Sequence, residues 1–278
     1  MNSKIVVDSC CDLNQDIRER FDISTAPLSI DIEDKTFTDD HNLDREKLLS
    51  AMKASKNAPK TASPSPETFL KLFRGYENVF VVTLSKELSS TYQNALLAKQ
   101  LLSDEDEDIF VHVFNSYSAT VGETMIAYKI GELIEAGYGR EEIIEKTEKY
   151  IAEMETLFVL DSLDNLIKAG RMNKVKGKIA SFFNIKPILA GAEDGTIILL
   201  DKARGSKKAI KKLVDKIGQR GEELEEKILG ISHCNALEKA EYIKNEALKK
   251  YNFREVIIVE TAGISTVYAN EGGVVLAF

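Results

Sequence analysis

The sequence predicts an α/β protein of two α/β domains, the first on a doubly wound parallel sheet and the second on a mixed sheet that includes an antiparallel hairpin. Three observations carry this expectation. Short apolar, strand-like runs alternate with helix-like segments through the first half. In the second half two strand-like runs flank a Glu-Asp-Gly turn, the mark of a hairpin. At 278 residues the chain also exceeds one typical domain of about 100 to 200 residues. The expected boundary lies near Met154, giving domains of 1–154 and 155–278.

In order, "KIVVDS" reads as a buried strand ending in turn residues, and "DLNQDIRERF" as the helix after it. "LSIDIEDKTFTDD" alternates polar and apolar around Glu33 and Asp34, as a small hairpin does. "NVFVVTLS" with "STYQNALLAKQLL", and "DIFVHVFNS" with "SATVGETMIAYKIGELIEAG", repeat the strand–helix unit. The acidic run from Asp104 to Asp108 reads as a solvated loop. After the helical "REEIIEKTEKYIAEM" come "TLFVLDS", the basic "NLIKAGRMNKVKGKIASFF" and the hairpin "IKPILAGAEDGTIILLDKARG". Two more strand–helix units follow, "ILGISHC" with "ALEKAEYIKNEALKKY" and then "EVIIVETA", before the glycine-containing tail "GISTVYANEGGVVLAF".

Apolar residues at 44% and charged residues at 29% are ordinary for a globular protein. No stretch approaches the roughly 18 apolar residues of a membrane span, so a cytoplasmic protein without stable membrane insertion is expected. A net charge of -8 argues against a protein that coats nucleic acid. The charge is uneven: Lys168 to Lys212 holds twelve Lys or Arg against Glu193, Asp194 and Asp201. Most of these read as a solvated face, and a few could face a partner or a phosphate. Cys10, Cys11 and Cys234 form no CxxC pair and no zinc-like spacing. His41, His112 and His233 are far apart, so metal ligation has little support and no cofactor is expected. No phosphate loop, nucleophile elbow or dinucleotide fingerprint is present.

What does recur is a turn crowded with hydroxyls ahead of a helix. In "KTASPSPETF", Ser65 reads as a helix cap with Pro66 at the first helical position, which leaves Thr61 and Ser63 unexplained. In "TLSKELSSTYQNA", Ser85, Ser89, Ser90 and Thr91 sit between a strand end and a helix start. Two donor-rich helix N-termini can hold a carboxylate without a salt bridge. Asp8 and Ser9 also stand at a strand end, near the crevice where open α/β sheets take ligands.

These stretches, with "KIVVDSCCDL", "VFNSYSATVGETMIA", "LDSLDNLIKAGRM", "KPIL" and "DKARGSKKA", resemble the DegV family of bacterial fatty-acid-binding proteins over nearly the whole chain. The resemblance implies a long-chain fatty acid buried between or within two α/β domains. Its carboxylate would meet Thr61 of the "T-x-S-P-S" motif and Ser89 of the "LS-[GS]-T" motif, with Ser63, Ser90 and Thr91 as neighbours. It also implies a non-enzymatic carrier that presents the acid to a separate ATP-dependent fatty acid kinase subunit feeding phospholipid synthesis. One departure stands out: "GISTVYANEGG" puts Tyr268 where many members carry a histidine, and a tyrosine hydroxyl still donates a hydrogen bond. Arg171 in "KAGRM" and Arg204 in "KARGS" are candidates to dock the kinase or face the phosphate. Phe182, Phe183, Ile185 and Leu189 are apolar enough to line the pocket, although core packing is the better reading for any one of them. Two other classes stay open: a serine-dependent hydrolase using Ser89 or Ser90, which lacks a nearby base, and a regulatory interaction module built on the basic segment.

Overall fold

The computed structural model describes residues 2–105, 108–173, 175, 177 and 184–278. The first half follows the expected strand–helix rhythm. It runs β1 (Ser3–Asp8), α1 (Gln15–Arg20) and β2 (Ile23–Ala26), then the excursion β3 (Ser29–Ile32), β4 (Lys35–Thr38), α2 (Arg45–Ala54) and β5 (Lys60–Ala62). It resumes with α3 (Pro66–Phe73), β6 (Asn78–Thr83), α4 (Thr91–Glu105), β7 (Phe110–Asn115), α5 (Val121–Glu135) and α6 (Arg140–Glu153). The second half holds β8 (Thr156–Val159), α7 (Asp164–Lys168), β9 (Ile185–Gly191), β10 (Ile197–Arg204) and α8 (Ser206–Arg220). It closes with β11 (Ile228–His233), α9 (Leu237–Lys250), β12 (Glu255–Glu260), α10 (Gly263–Ala269) and β13 (Val274–Ala277).

Strands β2, β1, β6 and β7 form a parallel sheet in that order. The order reverses between β1 and β6, which creates a crevice at their C-terminal ends. Both strands are near-continuous apolar runs because a parallel sheet is covered on both faces. The second sheet is mixed, ordered β10-β9-β8-β13-β11-β12, with the expected β9–β10 hairpin at one edge. Every strand of the parallel sheet precedes Met154 and every strand of the mixed sheet follows it.

Some elements differ from the sequence reading. The β3–β4 hairpin gains a third strand, because β5 pairs antiparallel with β3 and sets Thr61 opposite Ile30. Thr61 therefore sits on a strand, not in a turn. The C-terminal tail supplies β13, a central strand held antiparallel between β8 and β11. Helix α4 runs on through Glu105, so the start of the acidic run is helical.

Helix α5 buries eleven of its fifteen residues, while Lys129, Glu132, Ile134 and Glu135 toward its C-terminal end reach the surface. It packs on β1 and β6 of the parallel sheet and on β11 and β13 of the mixed one. The largest apolar cluster accordingly runs from Ile5, Phe80 and Phe114 through Met125 and Ile130 to Phe158 and Val275. Leu189 belongs to this core, whereas Phe182 and Phe183 lie outside the described residues.

The cap expected from "SPSPETF" is present. Ser65 Oγ accepts the Thr68 N–H at 3.2 Å and Pro66 occupies the first helical position of α3. Replacing Ser65 with Ala should therefore lower unfolding stability by about 1 kcal/mol. Denaturant unfolding measures this, and an unchanged midpoint would remove the cap from the account.

Candidate functional site

A cavity with about 770 Å³ of empty space, its mouth included, lies between the mixed sheet and the loops at the parallel sheet's crevice. From the mixed sheet come Phe158, Ile197 and Val275, and from the segments after β8 come Leu160 and Leu166. The first half contributes Cys10 after β1, Leu84 and Leu88 after β6, and residues 117–120 between β7 and α5. Helix α10 closes the wall with Ile264, Ser265 and Tyr268. Among the described lining residues Arg171 alone carries a charge. An apolar cavity with an arginine in its lining suits a long apolar molecule with an anionic end.

Arg171 is fixed by the chain around it. Its Nε donates to the Leu88 carbonyl at 3.1 Å and its Nη1 to the Ala169 carbonyl at 2.6 Å. These bonds use two of the five guanidinium N–H donors. The guanidinium carbon also stands 6.0 Å from the centre of the Tyr268 ring. Tyr268 Oη in turn lies 2.8 Å from Thr61 Oγ1, so β5 and α10 meet there through two hydroxyls. Arg171 and Tyr268 line the cavity, and Thr61, which is not in the lining, joins them through Tyr268, so three groups able to hold a carboxylate lie close together.

The other hydroxyls form neighbouring clusters. Ser63 Oγ pairs with Ser90 Oγ at 2.7 Å and accepts from Asn94 Nδ2 at 3.0 Å. Ser89 Oγ pairs with Thr91 Oγ1 at 2.9 Å. Ser89 directly follows Leu88, which both lines the cavity and holds Arg171. None of these four lines the cavity wall itself. Ser89 and Ser90 are bonded to other hydroxyls, and neither bonds a histidine among the described residues, which leaves the hydrolase reading without a base. Arg204 is exposed at the end of β10, seven residues beyond the lining residue Ile197. Arg171 and Arg204 do not meet in one cluster. Ile185, at the start of β9, is absent from the lining.

Sequence reasoning missed most of the wall, because its apolar residues come from many separate elements and look like ordinary core. It also missed a group of buried carboxyls behind the wall: Asp12, Asp39 and Glu123 join Asp8. Burial pushes the pKa of Asp8 and of Asp12 up to about 7, raises that of Asp39, and lifts that of Glu123 well above the usual carboxylate range. The signal for Glu123 was available as a lone acid in the apolar run "VGETMIA". Among the described residues no group of His, Cys, Asp and Glu is arranged to hold a metal ion, and no helix is long and apolar enough to cross a membrane.

The tip of the β9–β10 hairpin covers one side of the cavity. Ser85 Oγ donates to the Gly195 carbonyl at 2.9 Å, latching the tip to the loop after β6. Gly195 has φ +82, and a Cβ there would stand 2.3 Å from Ser85 Oγ and 3.2 Å from Tyr117 Cα.

Comparison with known proteins gives one consistent result. The family model described as "Uncharacterised protein, DegV family" matches residues 2–278. A DegV domain-containing protein of Streptococcus pneumoniae is 32% identical over 280 residues, covering 100% of this chain and 99% of that one. A DegV family protein of Ruminococcus gnavus, refined with vaccenic acid, is 41% identical and superposes with a TM-score of 0.96 over 100% of both chains. The Streptococcus pneumoniae fatty acid kinase (Fak) B3 protein, loaded with linoleic acid, is 31% identical with a TM-score of 0.91, covering 100% of this chain and 99% of its own.

The hairpin latch makes a direct expectation. Gly195→Ala should destabilise the protein by more than Gly75→Ala, because Gly75 shares a positive φ of +92 but has nothing within 4 Å of its added Cβ. The backbone strain common to both costs on the order of 1 kcal/mol, and the contact with Ser85 and Tyr117 adds to it only at Gly195. Equal melting temperatures for the two variants would show that the tip yields freely.

Proposed function

The chain belongs to the DegV family, and from that premise we propose that it binds one long-chain fatty acid and presents the carboxylate to a separate kinase subunit. The observation that carries the reading is Arg171, the one charged residue among the described residues lining an apolar cavity, whose guanidinium stands near the ring of Tyr268, itself paired with Thr61. The acyl chain lies among Phe158, Leu160, Ile197 and Val275, and the carboxylate faces Arg171, Tyr268 and Thr61. Ser89, with Ser63, Ser90 and Thr91 around it, keeps the turn that carries Leu88 in place. The bound fatty acids of the Ruminococcus and Streptococcus relatives support this reading.

The energetics favour a long chain over a small polar acid. Each buried CH₂ contributes about 0.8 kcal/mol, so sixteen carbons supply on the order of 10 kcal/mol before the cost of ordering the ligand. The polar end then has only to orient the acid and offset its desolvation. We read residues 1–154 and 155–278 as two domains that enclose the acid from opposite sides, in a cytoplasmic carrier. Phosphoryl transfer belongs to the partner, the Streptococcus relative being named as a fatty acid kinase protein. Arg171 and the exposed Arg204 are the residues proposed to face that partner or its phosphate.

Native mass spectrometry of the purified protein, followed by organic extraction, is expected to find a fatty acid at one per chain. An empty protein that takes up neither palmitate nor oleate would overturn the carrier reading. Tyr268→Phe and Thr61→Val should each weaken oleate binding by about 1 to 3 kcal/mol, the range for a hydrogen bond to a charged group, with the fold intact. Unchanged affinity in both would move the carboxylate elsewhere.

A further inference from the structure

Arg171 and Tyr268, the two headgroup candidates in the cavity lining, stand on different elements, and one side chain ties those elements together. Arg171 follows α7 and takes its position from the way that helix ends. Its N–H donates to the Leu166 carbonyl at 2.9 Å, and the Gly170 N–H donates to the Ile167 carbonyl at 3.1 Å. Such a pair of bonds closes a helix where a glycine takes positive φ, and Gly170 has φ +77. The backbone of Arg171 therefore moves with α7.

Tyr268 stands in the last turn of α10, two residues before Asn270, which ends the helix with φ +56. The last carbonyls of a helix lack a partner within it, and that of Val267 is one of them. Asn165, in the first turn of α7, supplies the donor. Its Nδ2 reaches the Val267 carbonyl at 2.7 Å and Asn270 Oδ1 at 3.3 Å. Asn270 Nδ2 points back to the segment before α7, 3.4 Å from the Ser162 carbonyl. Both asparagines are half-buried and neither lines the cavity. Their neighbours do: Leu166 follows Asn165, and Tyr268 and Ala269 follow Val267.

The other supports act on one group at a time. The Leu88 carbonyl holds the Arg171 guanidinium, and the Thr61 hydroxyl pairs with Tyr268. Apolar packing between α7 and α10 brings the two helices together without fixing their register, because it has no direction. A hydrogen bond has one.

We propose that Asn165 is a positioning residue of the headgroup site, its carboxamide holding Arg171 and Tyr268 at the separation that one carboxylate spans. The guanidinium carbon stands 6.0 Å from the centre of the Tyr268 ring. The inference rests on the fatty acid reading of the cavity and names what sets its preference for an acid over a neutral chain of the same length. A carboxylate has two oxygens and takes a guanidinium N–H and a tyrosine O–H together only when both donors are within reach. An alcohol has one oxygen, which either donor can serve alone, so it tolerates a looser spacing. Burial of the chain contributes equally to both.

The test is displacement of cis-parinaric acid, a fluorescent long-chain fatty acid, from the full-length protein by oleate and by oleyl alcohol. Asn165→Leu keeps the size of the side chain and removes its hydrogen bonds. It is expected to weaken oleate about tenfold and to leave oleyl alcohol within about twofold of wild type. In an Arg171→Met background the same substitution should change oleate affinity by no more than about twofold, because one of the two donors being positioned is gone. Equal weakening of both ligands, unchanged oleate affinity, or an undiminished effect in the Arg171→Met background overturns the inference while leaving the carrier reading intact. A wild-type protein that binds neither ligand overturns both. Should circular dichroism show that Asn165→Leu does not fold, Asn165→Asp takes its place. Its carboxylate has the same shape but cannot donate to the Val267 carbonyl, and the same outcomes decide.

Discussion

The structure depends first on one buried helix. Helix α5 serves as the inner layer for two sheets at once, packing on β1 and β6 through one side and on β11 and β13 through the other. A helix in that position keeps little solvent-facing surface: eleven of its fifteen residues are buried, and only Glu135 at its C-terminal end is exposed. The N-terminal turn of α5 emerges at the crevice between β1 and β6, where the order of the parallel sheet reverses. The segment feeding it, residues 117–120, becomes part of the cavity wall. The position of the cavity is thus a consequence of how the two sheets share a core.

The polar groups of the site divide into two settings with opposite chemistry. At one edge, Arg171 is anchored by backbone carbonyls, while Tyr268 and Thr61 present neutral hydroxyls. Such a set welcomes a carboxylate and needs no proton of its own to do so. Behind the wall, four acidic side chains are buried with no cation to pair them among the described residues, and Asp8, Asp12 and Asp39 take backbone N–H groups as partners instead. Both Glu123 carboxyl oxygens are buried without a hydrogen-bond partner among the described residues. The Tyr268 hydroxyl is a donor in the cavity lining, so orientation of an anion does not require an imidazole there.

Much of this was legible in the sequence wherever the signal is local. The Ser65 cap, the strand–helix alternation and the Glu-Asp-Gly hairpin each depend on a few adjacent residues, and each stands where its pattern placed it. Thr61 and Tyr268 carried their signal in a motif. Their contact spans 207 residues and depends on β5 joining β3, which alternation alone did not announce. The strand β13 escaped because Val274–Ala277 is only four residues long, and its central place follows from non-local pairing with β8 and β11. The cavity lining escaped for a similar reason: Leu84, Phe158, Ile197 and Val275 differ from core residues only in what the fold leaves empty between them.

The most direct test of the account is a crystal structure of the protein with oleate bound. The account places the carboxylate within hydrogen-bond distance of the Arg171 guanidinium and the Tyr268 or Thr61 hydroxyl, with the chain running past Phe158 and Val275. An oleate whose carboxylate lies away from all three groups, or whose chain occupies a different crevice such as the one beside Asp39 and Arg45, would contradict it.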